Sequence, residues 1–338
     1  MRILVIKRDK LGDLLLATPM LRHLRRRLPE AEIHLLANDY NAWVVDGNPD
    51  IDQRWVSRRV RHEGRVSVTA AVHHVMQDLA LRRARFDWVI VANGDDSPRA
   101  ISRGLAIRGM RCVAYCNDAS RYPRLSDPLP VRGAMHESDR MVGMLAPLGI
   151  APPPQALLPS YLLPANAAAF AHGWLANQGL HASGYVVLGL GARRPKKQPS
   201  VEQVHRWSAH FKESLGLETV FMWTPGSSDN ALYPGDDDVA QPVLDRRVPY
   251  IHPFRGPIGD ALGLIWGART CLFPDSGLMH FAAASPGGVL GFFAETDVSP
   301  NPAQWAPRGL RADYVEARKS VAELGDDLVF GKVDNLLR

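Results

Sequence analysis

The sequence predicts an α/β protein built as two Rossmann-like, doubly wound domains facing a central cleft, and three observations carry that expectation. The chain has 338 residues, more than twice the roughly 150 residues of an ordinary α/β unit. Short apolar runs alternate with amphipathic stretches, the pattern that βαβ units write into sequence. The alternation stops at GIAPPPQALLPSYLLPANA and then restarts. The prolines in this interval have no amide hydrogen for a helix or a central strand. The expected division is a first domain over 1–152, a linker over 153–180, a second domain over 181–318, and a final segment over 319–338.

In the first half, RILVIK, EIHLLA, DWVIVA and RCVAY read as strands at 2–7, 32–37, 87–92 and 111–115. Ala17, Leu21, Leu24 and Leu28 recur at helical spacing after the first of them. Pro19 is expected to break the start of that helix, with Thr18 capping its resumption. Helical pattern returns over 136–148. In the second half YVVLGL, TVFMW, RTCLF and GVLGFF read as strands at 185–190, 219–223, 269–273 and 288–293. Ser200 with Gln203 forms a capping-box signature ahead of the core-facing Val204, Trp207, Phe211 and Leu215. A helical run spans 258–268, and Ser320 with Glu323 suggests one more helix start.

The composition, 46% hydrophobic and 22% charged, suits a chain with a sizeable core and argues against disorder. Three irregularly spaced cysteines give neither a disulfide framework nor a CxxC pair for zinc or redox work, so a reducing cytoplasm is expected. Only a short apolar run precedes Lys7, Arg8 and Lys10, unlike a signal peptide, and no stretch approaches the roughly 18 apolar residues of a membrane span. A net charge of +5 suits an anionic partner. No nucleic-acid-binding motif accompanies it.

In doubly wound sheets ligands sit beyond the carboxyl ends of the strands, and three loops there carry chemistry. KRDKLGD, residues 7–13, places Asp13 at a helix entrance. A carboxylate there can accept a hydroxyl proton or simply cap the helix. GLGARRPKKQP, residues 189–199, nearly spells a dinucleotide fingerprint, but Arg194 replaces the third glycine and Pro195 blocks the helix, so NAD is not expected. Its cations Arg193, Arg194, Lys196 and Lys197 suit a diphosphate, or else form a solvated basic loop. PDSGLMHFAAA, residues 274–284, offers Ser276, Gly277 and a helix start as a phosphate site, with His280 one turn on. The alternative is a plain helix cap with a core histidine.

Together these loops resemble the glycosyltransferase family 9 proteins, the ADP-heptose:lipopolysaccharide heptosyltransferases. The matching pieces are ILVIKRDKLGDLLLATPMLRHLRRRLPEAEIHLL, the KKQP segment and FPDSGLMHFAAA, in order along nearly the whole chain. The resemblance implies a GT-B fold and metal-independent, inverting transfer of a sugar, heptose from ADP-heptose, without a cofactor. The first domain would bind the acceptor and the second the donor, with the final helix crossing back to the first domain. It places Asp13 on the family's general base, Lys196 on its donor-phosphate lysine, and Asp275, Ser276, Gly277 and His280 on its donor motif. Arg193, Asp229 and Thr296 join the donor set. Gln198 stands where the family has Trp, Ala294 where Gly is frequent, and TPGSSDN at 224–230 lacks the Glu expected on the ribose, a role left to Asp229.

The acceptor implied is an anionic lipopolysaccharide core or related glycan. Lys10 and the arginines of RWVSRRVRHEGR, Arg58, Arg59 and Arg61, are the expected contacts. The run RHLRRR at 22–27 suits peripheral contact with an anionic leaflet of the inner membrane. Two other readings stay open on this fold: a nucleotide-sugar epimerase or hydrolase, and a non-catalytic nucleotide-sugar or lipopolysaccharide binder.

Overall fold

The structure, a computed structural model, describes the chain except residues 59–60, 63–64, 67, 132, 192–193, 231–233 and 298–300, and the side chains of 61–62, 65–66, 68 and 71. The chain forms two units, Met1–Leu162 and Leu163–Arg338.

The first unit runs β1 (Arg2–Ile6), α1 (Leu11–Arg27), β2 (Glu32–Asn38), β3 (Gln53–Ser57), a short hairpin of β4 (Arg61–His62) and β5 (Arg65–Val66), then α2 (Val68–Arg83). It continues with β6 (Trp88–Val91), α3 (Pro98–Ile107), β7 (Arg111–Tyr115), β8 (Asp127–Leu129) and α4 (Glu137–Gly143). Its sheet has the order β3-β2-β1-β6-β7-β8, and every ladder is parallel. Val5 pairs with Leu35 on one side and Ile90 on the other. Both faces of such a sheet are covered, which is why RILVI and WVIV read as continuous rather than alternating apolar runs. Leu4, Ile6, Phe86 and Val89 pack there with Ile101 and Ile107 of α3.

Helix α1 is continuous through Pro19, contrary to the interruption expected from sequence. The proline removes the amide that would bond the Leu15 carbonyl. Thr18 Oγ1 donates to that same carbonyl at 2.7 Å and accepts the amide of Ser160 at 3.0 Å. A hydroxyl one residue away thus replaces the lost bond, so the helix survives the proline.

The second unit runs α5 (Ala165–Asn177), β9 (Tyr185–Gly189), α6 (Val201–Leu215), β10 (Glu218–Met222), α7 (Asp237–Leu244), β11 (Ile251–Phe254) and α8 (Ile258–Gly267). It ends with β12 (Thr270–Pro274), α9 (Gly277–Ala284), β13 (Val289–Ala294), α10 (Pro302–Trp305), β14 (Ala312–Ala317) and α11 (Asp326–Leu337). Its sheet, β11-β10-β9-β12-β13-β14, is again wholly parallel. The two sheets therefore share one topology, with switch points between β1 and β6 and between β9 and β12. The Ser200 capping box forms as read, with Gln203 N–H on Ser200 Oγ at 3.2 Å and the Ser200 amide on Gln203 Oε1 at 2.9 Å.

Two further expectations differ from what is found. The interval taken as a linker contains α5, whose alanines permit very close packing on α8: a Cβ at Gly263 would lie 2.2 Å from the Ala167 carbonyl oxygen. The final segment is not a helix from Ser320. Ser320 caps a 3-10 turn over Val321–Glu323, and α11 begins at Asp326. The apolar stripe Val329, Val333 and Leu336 enters the second unit's own core, and Trp207 Nε1 donates to Asp326 at 2.7 Å. Within the second unit α11 packs onto α6, β13 and β14.

Candidate functional site

In the first unit the chain leaves β1 at the switch point and reaches α1 through Lys7, Arg8, Asp9 and Lys10. Lys7 is 1% exposed, with Nζ 3.0 Å from Asp9 and 3.9 Å from Glu137. Burial opposes its charge, but Asp9, Asp13 and Glu137 together outweigh that and hold the ammonium pKa above the ordinary lysine value. Glu137, the first residue of α4, is itself buried. Gly94 makes room for it: a Cβ there would stand 2.3 Å from a Glu137 carboxylate oxygen.

Three asparagine side chains pin the loop. Asn93 Nδ2 donates to the Asp9 carboxylate at 3.2 Å, Asn38 to the Arg8 carbonyl at 2.5 Å, and Asn41 to the carbonyls of Asp9 and Lys7 at 3.2 and 3.3 Å. Asp13 occupies the third position of α1, half-buried, and accepts the Lys10 amide at 3.0 Å. The capping function weighed from sequence is therefore present. It fixes the carboxylate at the carboxyl edge of the sheet. Lys10 and Arg58 are exposed. Arg59 lies outside the described residues, and for Arg61 only the backbone, paired to Val66, is described.

In the second unit the loop after β9 closes in a 3-10 turn, Pro195–Lys197. Its two lysines have opposite surroundings. Lys197 is buried in an ion pair with Asp275, the side chains being 7% and 9% exposed, whereas Lys196 is 59% exposed and pairs with Glu295. Arg193 lies outside the described residues. Glu295, which follows β13, has φ +52°, a left-handed conformation that costs a non-glycine residue roughly 1–2 kcal/mol.

At β12's end Ser276 stands at the N-cap position of α9, yet its buried hydroxyl makes no capping bond and has no hydrogen-bond partner among the described residues. Gly277, the first helical residue, is exposed. His280 is 4% exposed, its ring 6.4 Å from that of Trp305. Thr296 is half-buried just beyond Glu295.

Asp229 sits on an exposed turn, its amide donating to Ser227 Oγ at 3.3 Å. Two aspartates that the sequence reading passed over organise this region. Asp236 accepts Gln198 Nε2 at 2.7 Å and the Thr224 amide at 3.3 Å, and burial raises its pKa. Asp237 accepts both Arg255 donors at 2.8 Å, Trp223 Nε1 at 2.7 Å and the Gly226 amide at 2.9 Å, and these bonds, Arg255 foremost, hold its carboxyl well below the usual range. Gln198, read as a departure from the resemblance, thus has a defined partner. Lys7, Asp9 and Glu137 were likewise passed over. The usable signal was a lysine at the end of a fully apolar strand, which cannot be buried without carboxylates brought by other elements.

No protein-family model matches the chain, and no curated protein matches it. Solved structures do. A glycosyl transferase family 9 structure from Veillonella parvula is 18% identical, with TM-score 0.82 and 99% of this chain and 97% of that one covered. The E. coli heptosyltransferase WaaC with ADP is 16% identical, with TM-score 0.76, covering 99% and 100%. The E. coli ADP-heptose lps heptosyltransferase II is 17% identical, with TM-score 0.74, covering 100% and 98%. The chain thus has, over its whole length, the two-domain α/β fold of these GT-B glycosyltransferases.

Proposed function

We propose that this chain is a metal-independent, inverting glycosyltransferase that moves a sugar from a nucleotide diphosphate donor to a hydroxyl of an anionic glycan acceptor. The observation that carries this reading is the presence, on a fold similar end to end to heptosyltransferases, of a fixed carboxylate at the first sheet's switch point and a lysine-rich turn at the second's. The structural neighbours named with ADP and with ADP-2-deoxy-2-fluoro heptose make ADP-heptose the first donor to test, and a lipopolysaccharide core the first acceptor.

In the proposed reaction Asp13 takes the proton of the acceptor hydroxyl as that oxygen bonds to the anomeric carbon. The bond from that carbon to the diphosphate breaks, and its electron pair leaves with the diphosphate on the opposite face, inverting the configuration. The growing charge on the leaving group is met by Lys196, by the Ser276 hydroxyl and by the amides that open α9. Physical chemistry favours Lys196 over Lys197 here. Lys197 is sealed with Asp275, and exposing that carboxylate unpaired is costly. Lys196 holds Glu295 through an exposed pair, worth about 0–1 kcal/mol, which a diphosphate can displace. The Ser276 hydroxyl, with no hydrogen-bond partner among the described residues, is ready to donate. Lys10, Arg58, Arg59 and Arg61 belong to the acceptor side, and the basic run at 22–27 to contact with an anionic membrane surface. No helix among the described residues is long and apolar enough to cross a membrane.

A thermal-shift panel of ADP-, GDP-, UDP- and dTDP-sugars tests the donor, because a ligand that binds only the folded state raises the melting temperature. A selective response to ADP-sugars is expected; silence toward all four overturns the reading. Turnover that disappears in EDTA and returns with Mg²⁺ overturns the metal-independent part alone.

A further inference from the structure

Beside the Lys7 network the first unit gathers a second set of basic groups whose bonding is incomplete. Arg8 follows β1, Arg103 lies on α3, and His74 and Asp78 are one turn apart on α2. Arg103 Nη1 is 2.5 Å from Asp78 Oδ1 and 3.4 Å from His74 Nε2, and the other ring nitrogen of His74 is 3.4 Å from Ser57 Oγ. Those contacts leave Arg8 Nε and Arg103 Nε and Nη2 buried without a hydrogen-bond partner among the described residues.

Such donors are expensive to strand, and more so on a charged group. The same unit shows what a purely structural buried arginine does: Arg140 spends Nε, Nη1 and Nη2 on the carbonyls of Met135, Gly94 and Gly133, at 3.2, 2.9 and 2.6 Å. Charge is unbalanced as well. Burial, then Arg103, pushes the Arg8 pKa down despite Asp78, Asp9 and Asp39, and burial, Arg103 and Arg8 do the same to His74 against Asp78. Arg103 and His74 thus share one ion-pair partner, Asp78, whose Oδ1 itself makes no hydrogen bond among the described residues, and the charge of Arg8 is felt at both. A planar fork with unused donors matches an oxyanion.

We propose that Arg8 and Arg103, flanked by His74, form a binding site for a small oxyanion, a carboxylate or phosphate group. The site stands on the contacts of Arg103 and His74 and on the buried, unpartnered donors of Arg103 and Arg8; that its anion belongs to a glycan acceptor rests on the glycosyltransferase reading, for which the position of Arg8 between β1 and Asp13 is favourable.

The test follows the Arg Nε–Hε resonances of the ¹⁵N-labelled full chain, with ADP present, on addition of inorganic phosphate and, separately, acetate, at ionic strength held constant with chloride. Arg8→Lys and Arg103→Lys assign the two signals. Saturable shifts of both are expected with at least one anion, the tighter one identifying the group. Arg103→Lys should weaken the response seen at Arg8 by about tenfold or more, since a forked charge-assisted contact is lost. Unmoved arginine signals with both anions, or the same movement in chloride alone, overturn the site. Moving signals together with a silent nucleotide-sugar panel keep the site and remove the glycosyltransferase reading.

Discussion

The loop after β1 and the loop after β9 hold equivalent places in two sheets of identical order, yet the group proposed to act from each has the opposite charge. Each buries one lysine against carboxylates: Lys7 with Asp9 and Glu137, Lys197 with Asp275. In the first unit asparagine amides hold the backbone, and the Asp13 carboxylate stays half-exposed beside the exposed Lys10. In the second a 3-10 turn does the holding, and the Lys196 ammonium is left outside beside the exposed Arg194. One fold thus offers the proposed proton acceptor in one unit and the proposed anion-binding cation in the other. The difference lies in which charge is consumed internally.

The strongest way to break this comparison is to remove the outward carboxylate. Asp13→Ala should lower turnover by roughly 10²–10⁴-fold while nucleotide-sugar binding persists, a split that steady-state kinetics and a binding isotherm would read. Unchanged turnover would leave Asp13 as a helix cap and nothing more.

The buried lysines come next. Lys7→Met and Lys197→Met should each destabilise the chain by about 3–5 kcal/mol in urea unfolding, because carboxylates are left buried without a counter-charge. Adding Asp275→Asn to Lys197→Met should recover part of the loss. If both lysines can be removed at little cost, the shared internal pairing does not hold the loops.

The units should also respond to pH in opposite senses. Lys7 has a raised pKa, so its contribution is complete below the ordinary lysine range and is lost as pH climbs through the raised value. Asp237 has a depressed pKa, so its contribution is complete above the ordinary carboxylate range and is lost as pH falls through the depressed value. The Trp223 indole resonance, whose N–H is bonded to Asp237, should shift only in strong acid. Amide protection factors in the loop at 7–13, taken relative to intrinsic base-catalysed exchange, should fall only in alkali. The loop at 7–13 and the Trp223–Asp237 turn loosening at the same end of the scale would contradict the assignment.

The smallest effect on stability is expected at Lys196. Lys196→Ala should change unfolding free energy by about 0–1 kcal/mol, as an exposed pair allows, while weakening donor binding. A large stability loss would mean that Lys196, rather than Lys197, holds the turn together.

Much of the fold could be read in advance because parallel strands buried on both faces are short apolar runs, and RILVI, RCVAY and YVVLG announce themselves on that ground. The Ser200 capping box was legible for a similar reason, since both partners lie within one helical turn. Helices α2 and α3 were not, because their role depends on which sheet face they meet. The effect of Pro19 was not legible either: the carbonyl it orphans is rescued by Thr18, and Thr18 is in turn held by Ser160, far along the chain.

At the site the division is similar. Asp13, Lys196 and Ser276 could be nominated because each sits in a short loop between an apolar strand and a helix. Which of two adjacent lysines faces water could not, since burial of Lys197 is decided by Asp275, a residue 78 positions away. The same holds for Glu137 beneath Lys7 and for Arg103 beside Arg8. Strand hydrophobicity, turn residues and local caps are properties of neighbouring residues, so the sequence alone determined the two-sheet architecture and the loops that bear chemistry. Charge pairing in a low-dielectric interior joins residues from different elements, so only the tertiary structure decided which ionic groups are sealed away and which remain to act.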